Sequence, residues 1–498
     1  LTLDYKLVTE TFHGAFAERH LVIPLARKGG LLTIAVANPF DNDLVDSLAR
    51  FTGMQVEVTV APKSLLLKTI IEYHGFKKSV DHAAELFKGE LVDLGNLEQL
   101  TRVKRMEEID ASDQPVVQAV WYLFHYAFDQ RASDIHIEPK REYAAIRLRI
   151  DGVLHRIHVL PRKVHPAVVS RIKTLARMDI AEKRRPQDGR IKTTFNDAEI
   201  ELRVSTVPTA FGEKVVTRIF DPTVLLQDVA SLGFFPREQR MFEDFISRTN
   251  GLILVTGPTG SGKTTTLYSS LQYLNSPHVN ISSIEDPIEM VMEDFNQMAV
   301  QPKIGFTFAN ALRTILRQDP DIIMVGEIRD KETAEYAVQA ALTGHMVLST
   351  LHTNDAPTSI TRMLDLGIEP FLLSSVLVGI VAQRLVRKIC PDCAIDTVLT
   401  QDEIQSLHIP GVENRRLRAR YGAGCPLCRG TGYRGRTGIF EVMAVNHRIR
   451  ELVETRASSV DIKREALSEG MLTLWEYAIK KMARGATTLE EVMRVAHE

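Results

Sequence analysis

The sequence predicts an α/β protein whose largest part is a parallel sheet wound with helices. Three observations carry this. A short apolar run, Leu252 to Thr256, opens into a glycine-rich loop and then a helical stretch. Further apolar runs at Ile281 to Ile284, Ile322 to Val325 and Met346 to Ser349 follow in a strand–loop–helix rhythm. Ahead of them, apolar residues alternate with polar ones, the period of half-buried strands, so a different α/β unit comes first.

The bulk numbers fit this reading. A chain of 498 residues implies about three domains. Apolar residues are 44% and charged residues 25%, ordinary for a globular protein. A formal charge of −2 gives no bulk field for nucleic acid or acidic lipid. No apolar run approaches the roughly 20 residues that cross a bilayer. The most apolar stretch of the C-terminal half, Phe371 to Ala382, reads as a buried helix. No secretory signal is expected, and Leu1 in first place points to a chain that begins partway through its N-terminal region.

Taken in order, residues 1–76 read as a small, partial α/β module. Leu21 to Leu25 and Leu31 to Ala37 flank a hairpin turn at Lys28-Gly29-Gly30, a helix spans Asp41 to Phe51, and Val56 to Val60 is a strand. Residues 77–113 mix charge runs without a period and read as a linker. Residues 114–225 form the second α/β domain. It has a helix at Val116 to Phe128, the alternating stretch ASDIHIEP, a hairpin turning at Asp151-Gly152, a basic helix at Val164 to Met178, and strands at Ile200 to Val204 and Lys214 to Phe220. The core follows at 231–385, a cysteine-bearing segment at 386–446 and a helical region at 447–498, where Thr488 and Glu491 suit a capping box.

The sharpest motif is Gly257-Pro258-Thr259-Gly260-Ser261-Gly262-Lys263-Thr264, followed by Thr265. It has the spacing of a phosphate-binding P-loop, placed between a strand and a helix. Glycines allow a turn that aims backbone N–H groups inward, and the helix start adds its positive end. Lys263 suits the β/γ-phosphates of ATP and the Thr264 hydroxyl suits Mg²⁺. Glu285 and Glu327 stand at strand ends, where open α/β sheets bind ligands. Glu327 suits Mg²⁺ through water and Glu285 the attacking water, or the reverse. His345 and His352 bracket the next strand, and a histidine at a strand end can report on the γ-phosphate.

The four cysteines form two pairs, Cys390/Cys393 and Cys425/Cys428. Two CxxC pairs fit a closed, structural zinc site, with an iron–sulfur cluster or free buried thiols as alternatives. Arg131, Arg147, Arg149, Arg156 and Arg171 make the second domain locally basic, which suits subunit contacts or nucleotide charge, or simply a solvated face.

Together GPTGSGKT, IEDPIE, GEIRD and LSTLHTNDA resemble the Walker A, Asp box, Walker B and His box of the type II secretion and type IV pilus assembly ATPases. GTGYRGRTGI and the cysteine pairs resemble the assembly and secretion branch, with pilus assembly nearer. The resemblance implies a RecA-like ATPase core behind a PAS-like α/β domain. It implies a cytoplasmic homo-hexamer, peripheral to the bacterial inner membrane, working on a membrane platform protein, with no nucleic acid partner. It further implies that Arg203 and Arg218, on strands outside the core, reach the γ-phosphate when domains close. Some relatives of the N-terminal module bind cyclic-di-GMP, a ligand not expected for this partial module. The alternatives are a type II secretion motor, a nucleic-acid translocase sharing the same core, and a nucleotide-regulated scaffold without turnover.

Overall fold

A computed structural model of the protein describes residues 3, 5–67, 69–71, 73–74, 114–195, 198–220, 226–407, 409 and 416–496. The expected linker and the last residues of the expected second domain, 221–225, therefore lie outside the described residues. Internal contacts divide the chain into two units: Leu1–Asp221 with Ala423–Gly432, and Pro222–Gly422 with Tyr433–Glu498.

In the first unit, α1 (Tyr5–Thr11) and α2 (Gly14–His20) precede β1 (Val22–Lys28) and β2 (Leu31–Val36), with α3 (Asn42–Thr52) and β3 (Gln55–Val60) following. Lys28 pairs with Leu31, so the expected hairpin turn is present but limited to Gly29-Gly30. β3 joins β2 in parallel to make a three-stranded sheet. The next helix is α4 (Gln114–Asp129), ahead of β4 (Ala132–Pro139), β5 (Tyr143–Ile150), β6 (Val153–Pro161), α5 (His165–Leu175), β7 (Gln187–Phe195), β8 (Ala198–Thr209) and β9 (Gly212–Phe220). These strands form one antiparallel sheet in the order β6-β5-β4-β9-β8-β7. Asp151 and Gly152 both have positive φ, 49° and 85°, as a two-residue hairpin demands. Ile135, Ile137, Ile146, Leu148, Leu202, Val204 and Val215 are buried in one core with α4 and α5. Alternation therefore sends the polar residues of β4, β5, β8 and β9 to the other face. β7 was not foreseen: Gln187-Asp-Gly-Arg-Ile-Lys-Thr-Thr-Phe is mostly polar and forms an edge strand paired to β8.

The second unit opens with α6 (Pro236–Ile246), then β10 (Gly251–Thr256), α7 (Lys263–Leu274), β11 (Ile281–Glu285), β12 (Asn296–Ala299), α8 (Phe308–Ile315), β13 (Ile322–Val325), α9 (Lys331–Leu342) and β14 (Met346–Leu351). It continues through α10 (Ala356–Asp365), α11 (Pro370–Val376), β15 (Leu377–Ile389), β16 (Ala394–Val398), α12 (Gln401–Ser406), β17 (Arg418–Gly422) and β18 (Tyr433–Ala444). Four helices end it: α13 (His447–Glu454), α14 (Ser459–Ser468), α15 (Leu474–Ala483) and α16 (Leu489–Ala496). The main sheet has the order β12-β11-β13-β14-β10-β15-β18. Its strands run parallel except β18, which is antiparallel to β15. Ile253 and Val255 belong to one apolar core and Leu252 and Leu254 to another, so helices cover both faces and β10 is apolar throughout.

Two expectations are corrected. Phe371 to Ala382 is not one helix: α11 ends at Val376 and the rest is β15. An apolar run has no period of its own, and Leu377 to Ala382 is buried on both faces between β10 and β18. The capping box at the last helix is only half made. Glu491 N donates to Thr488 Oγ1 at 3.2 Å. The Glu491 carboxylate, however, is fully buried and accepts from Arg387 and Arg494 instead of returning to the cap. A guanidinium in a dry site outbids a backbone N–H.

Candidate nucleotide and metal sites

β10 ends at Thr256 and α7 begins at Lys263, so Gly257 to Gly262 bridge a buried strand and a buried helix start. Gly257, Gly260 and Gly262 have φ of 146°, 79° and 91°, which side-chain-bearing residues resist. Gly257 also has no room: a Cβ there would lie 2.4 Å from the Gln383 carbonyl oxygen. Pro258, Thr259 and Gly260 form the exposed tip, while Ser261 and Lys263 are buried. Lys263 Nζ donates to the carbonyls of Gly257 (2.7 Å) and Pro258 (3.1 Å). Burial pulls its pKa down, opposed by the charge of Glu327. A desolvated lysine next to free helix-start amides is an anion-binding arrangement. Thr264 and Thr265 lie in the first turn of α7, half-buried.

The two acids differ. Glu327 follows β13 and touches His352 Nε2 through Oε2 at 3.2 Å, while Arg329 pairs with its other oxygen. Glu285, the last residue of β11, is buried and fully engaged. Its Oε1 accepts from Ser283 Oγ (2.7 Å) and Gln297 Nε2 (3.1 Å), and its Oε2 from Tyr268 OH (2.7 Å) and Glu289 N (3.4 Å). Those donors fill the roughly four acceptor positions of a carboxylate. A water reaches Glu285 only when one of them leaves. Burial, with Glu285 adding to it, pushes the Tyr268 hydroxyl far up, so it remains a donor. Gly326 packs 3.5 Å from the Glu285 Cα through its would-be Cβ, so the two acid-bearing loops lie side by side.

The histidines separate. His352 is in the Glu327 cluster, and its loop is tied to β10 because Thr353 N donates to Thr256 Oγ1 at 2.9 Å. His345 is at the opposite end of β14, where its backbone oxygen accepts from Gly251 N at the start of β10. Its ring bonds Ala340 O and Thr343 Oγ1 at the end of α9, a helix-terminal contact about 20 Å along the strand from the loop. Arg329, Tyr268, Gln297 and Gln383 were missed by sequence reasoning. Only Arg329 had a local signal, two positions after Glu327 in the same turn.

In the first unit, Arg203 and Arg218 are directly opposite on β8 and β9. Arg190 faces Arg203, and Arg218 faces Asp134, which faces Arg149. Like charges across a ladder repel. Glu201 pairs with Arg203 (3.2 Å) and Arg190 (3.7 Å), and Asp134 with Arg218 (3.2 Å) and Arg149 (3.5 Å). Four arginines thus share two carboxylates on the face away from the core. Arg203 also stacks on Phe220 at 4.1 Å.

The sulfur atoms of Cys390, Cys393, Cys425 and Cys428 all lie within 4.8 Å of one another. Cys425 and Cys428 are 3.7 Å apart. That is the edge of a tetrahedron with sulfur about 2.3 Å from a central zinc. Cys428 Sγ accepts N–H bonds from Cys425 (3.1 Å) and Gly432 (3.2 Å), which favour a thiolate. The donor set fits a structural metal.

A P-loop between parallel strand and helix, with an acid, an arginine and a histidine at neighbouring strand ends, defines the class: a RecA-like P-loop NTPase. The comparisons narrow it. Residues 110–494 match the family model described as Type II/IV secretion system protein, and residues 2–80 match an MshEN domain. The type IV pilus assembly ATPase TfpB of Acinetobacter baylyi is 44% identical over 99% of this chain and 85% of its own length. The type II secretion system protein E of Xanthomonas campestris is 42% identical over 97% of this chain and 84% of its own. The Legionella pneumophila ATPase DotB superposes with a TM-score of 0.56 at 18% identity, covering 75% of this chain and 94% of that one, a likeness of fold alone. The chain belongs to the type II/IV secretion system protein family and is an ATPase of that superfamily. Among the described residues no helix is long and apolar enough to cross a membrane.

Proposed function

We propose that the protein is a hexameric, mechanochemical ATPase that drives type IV pilus extension. The observation that carries this reading is the 44% identity to a pilus assembly ATPase over 99% of the chain. The 42% match to a secretion ATPase keeps type II secretion as the second reading. In either case the work would be done on an inner-membrane platform protein by a cytoplasmic ring held there through its partners.

The residues take roles by position. Backbone amides of Gly257 to Thr265 and the Lys263 ammonium grip the phosphates of ATP, which requires Lys263 to leave the carbonyls of Gly257 and Pro258. Thr264 and Glu327 would hold Mg²⁺, which neutralises charge on the β/γ oxygens. Glu327 is the carboxylate whose charge acts on Lys263, and His352 and Arg329 fix its orientation. Glu285 braces its own turn through Tyr268 and Gln297. Arg203 and Arg218 supply further positive charge to the transferring phosphoryl group, supported by the arginine surplus on their face. The cysteines would hold zinc.

Complementation separates the two readings. Expressed in a pilus-less assembly-ATPase mutant, the gene restores pili, and in a secretion-ATPase mutant it does not restore export. Rescue of secretion alone overturns the pilus assignment.

A further inference from the structure

Gln383 lies on β15, the strand beside β10 in the sheet, and belongs to none of the motifs of the nucleotide site. It is almost fully buried, at 2% exposure. An uncharged amide in that position must spend both ends on partners. Its Nε2 donates to the carbonyl of Ser261 at 2.9 Å, and its Oε1 accepts from Thr266 Oγ1 at 2.7 Å. Ser261 O is an acceptor only, so it fixes which end of the amide faces the loop. The side chain therefore straddles the junction where the phosphate loop becomes α7.

The contact is close on all sides. A Cβ on Gly262 would sit 2.7 Å from Gln383 Nε2, and one on Gly257 2.4 Å from Gln383 O. Two of the loop's three glycines thus pack against this one residue. The β15 backbone beneath is held to β10, with Ala382 opposite Thr256.

Peptide geometry gives the consequence. In a planar trans peptide the N–H points opposite to the preceding C=O. Holding the Ser261 carbonyl down onto Gln383 turns the Gly262 N–H away from β15, to the concave side of the loop. The loop's anion affinity depends on such amides being aimed before the phosphate arrives.

We propose that Gln383 is a positioning residue for ATP: it locks the Ser261–Gly262 peptide so that its amide faces the phosphates, and it uses Thr266 to keep its own orientation. Q383L removes both hydrogen bonds at similar volume. Q383E keeps an acceptor for Thr266 but sets a carboxylate against the Ser261 carbonyl.

The test is equilibrium ATP binding and steady-state turnover of the full chain, with Tm measured without nucleotide. Q383L and Q383E are each expected to raise Kd and KM for ATP about tenfold or more, with kcat at saturation falling less than KM rises. Thr266→Val is expected to raise Kd several-fold, and Thr266→Ser, which keeps the hydroxyl, to restore it. A purely structural role lowers Tm without this KM-against-kcat split. Kd within twofold of the parent in Q383E or Q383L overturns the proposal. If neither folds, equal Kd for Thr266→Val and Thr266→Ser overturns it instead.

Discussion

Lys481 carries a cost that pH exposes. On α15, it is 8% exposed, and Nζ donates to Thr437 Oγ1 at 3.2 Å, 5.3 Å from the Phe235 ring centre. Burial first, then Arg484 and Lys388, pulls its pKa from 10.5 to about 8. In the unfolded chain the ammonium keeps its ordinary pKa. Between pH 8 and 10.5 the unfolded state thus binds more protons, and this group's contribution to stability rises with pH. Below about pH 8 the full penalty of a desolvated cation is present. Lys481→Met should therefore be more stable than the parent at pH 7.5 in denaturant melts. Its advantage should shrink toward pH 10.5, and a pH-independent difference would contradict the assignment. The same physics explains what a sequence shows and hides at this scale. Asp330 caps α9, its carboxylate accepting from Thr333 N at 2.8 Å. That bond needs only three residues of chain. Tyr268 and Gln297 meet at Glu285 from three separate elements, and no local spacing encodes such a meeting.

Elements fail or succeed as signals according to what surrounds them. β10 and the loop after it were legible because strand, glycines, lysine and helix are contiguous. The first part of β15, Leu377 to Ala382, was read as helix because its burial comes from β10 and β18, which lie far away in sequence. Yet β15 is central: it carries Gln383 under the loop and ends one residue before Cys390. The cysteine pairs were legible from spacing alone, and the structure gathers their sulfurs within 4.8 Å of one another. Freshly prepared protein should contain about one zinc per chain by elemental analysis. Cys428→Ser should lose most of that zinc and melt lower, because a metal bound only by the folded state stabilises it. Protein free of zinc, with Cys428→Ser melting like the parent, would remove the metal from the account.

At the scale of the molecule, the sequence named the family from four boxes, and the family model confirms it across residues 110–494. What it left open was how the two units divide the work. The P-loop, Glu327 and His352 belong to one unit, and Arg203 and Arg218 to the other. The central claim is the proposed role of Arg203 and Arg218 in phosphoryl transfer. Arginines supplied to a transferring phosphoryl group contribute about 10³-fold or more to turnover, whereas a solvated strand arginine contributes nothing. The most direct measurement is steady-state ATPase activity of Arg218→Ala alongside its equilibrium Kd for ATP, with the folded state verified by melting. The account predicts a fall in kcat of at least about a hundredfold, with Kd changed far less. Turnover near that of the parent would contradict it.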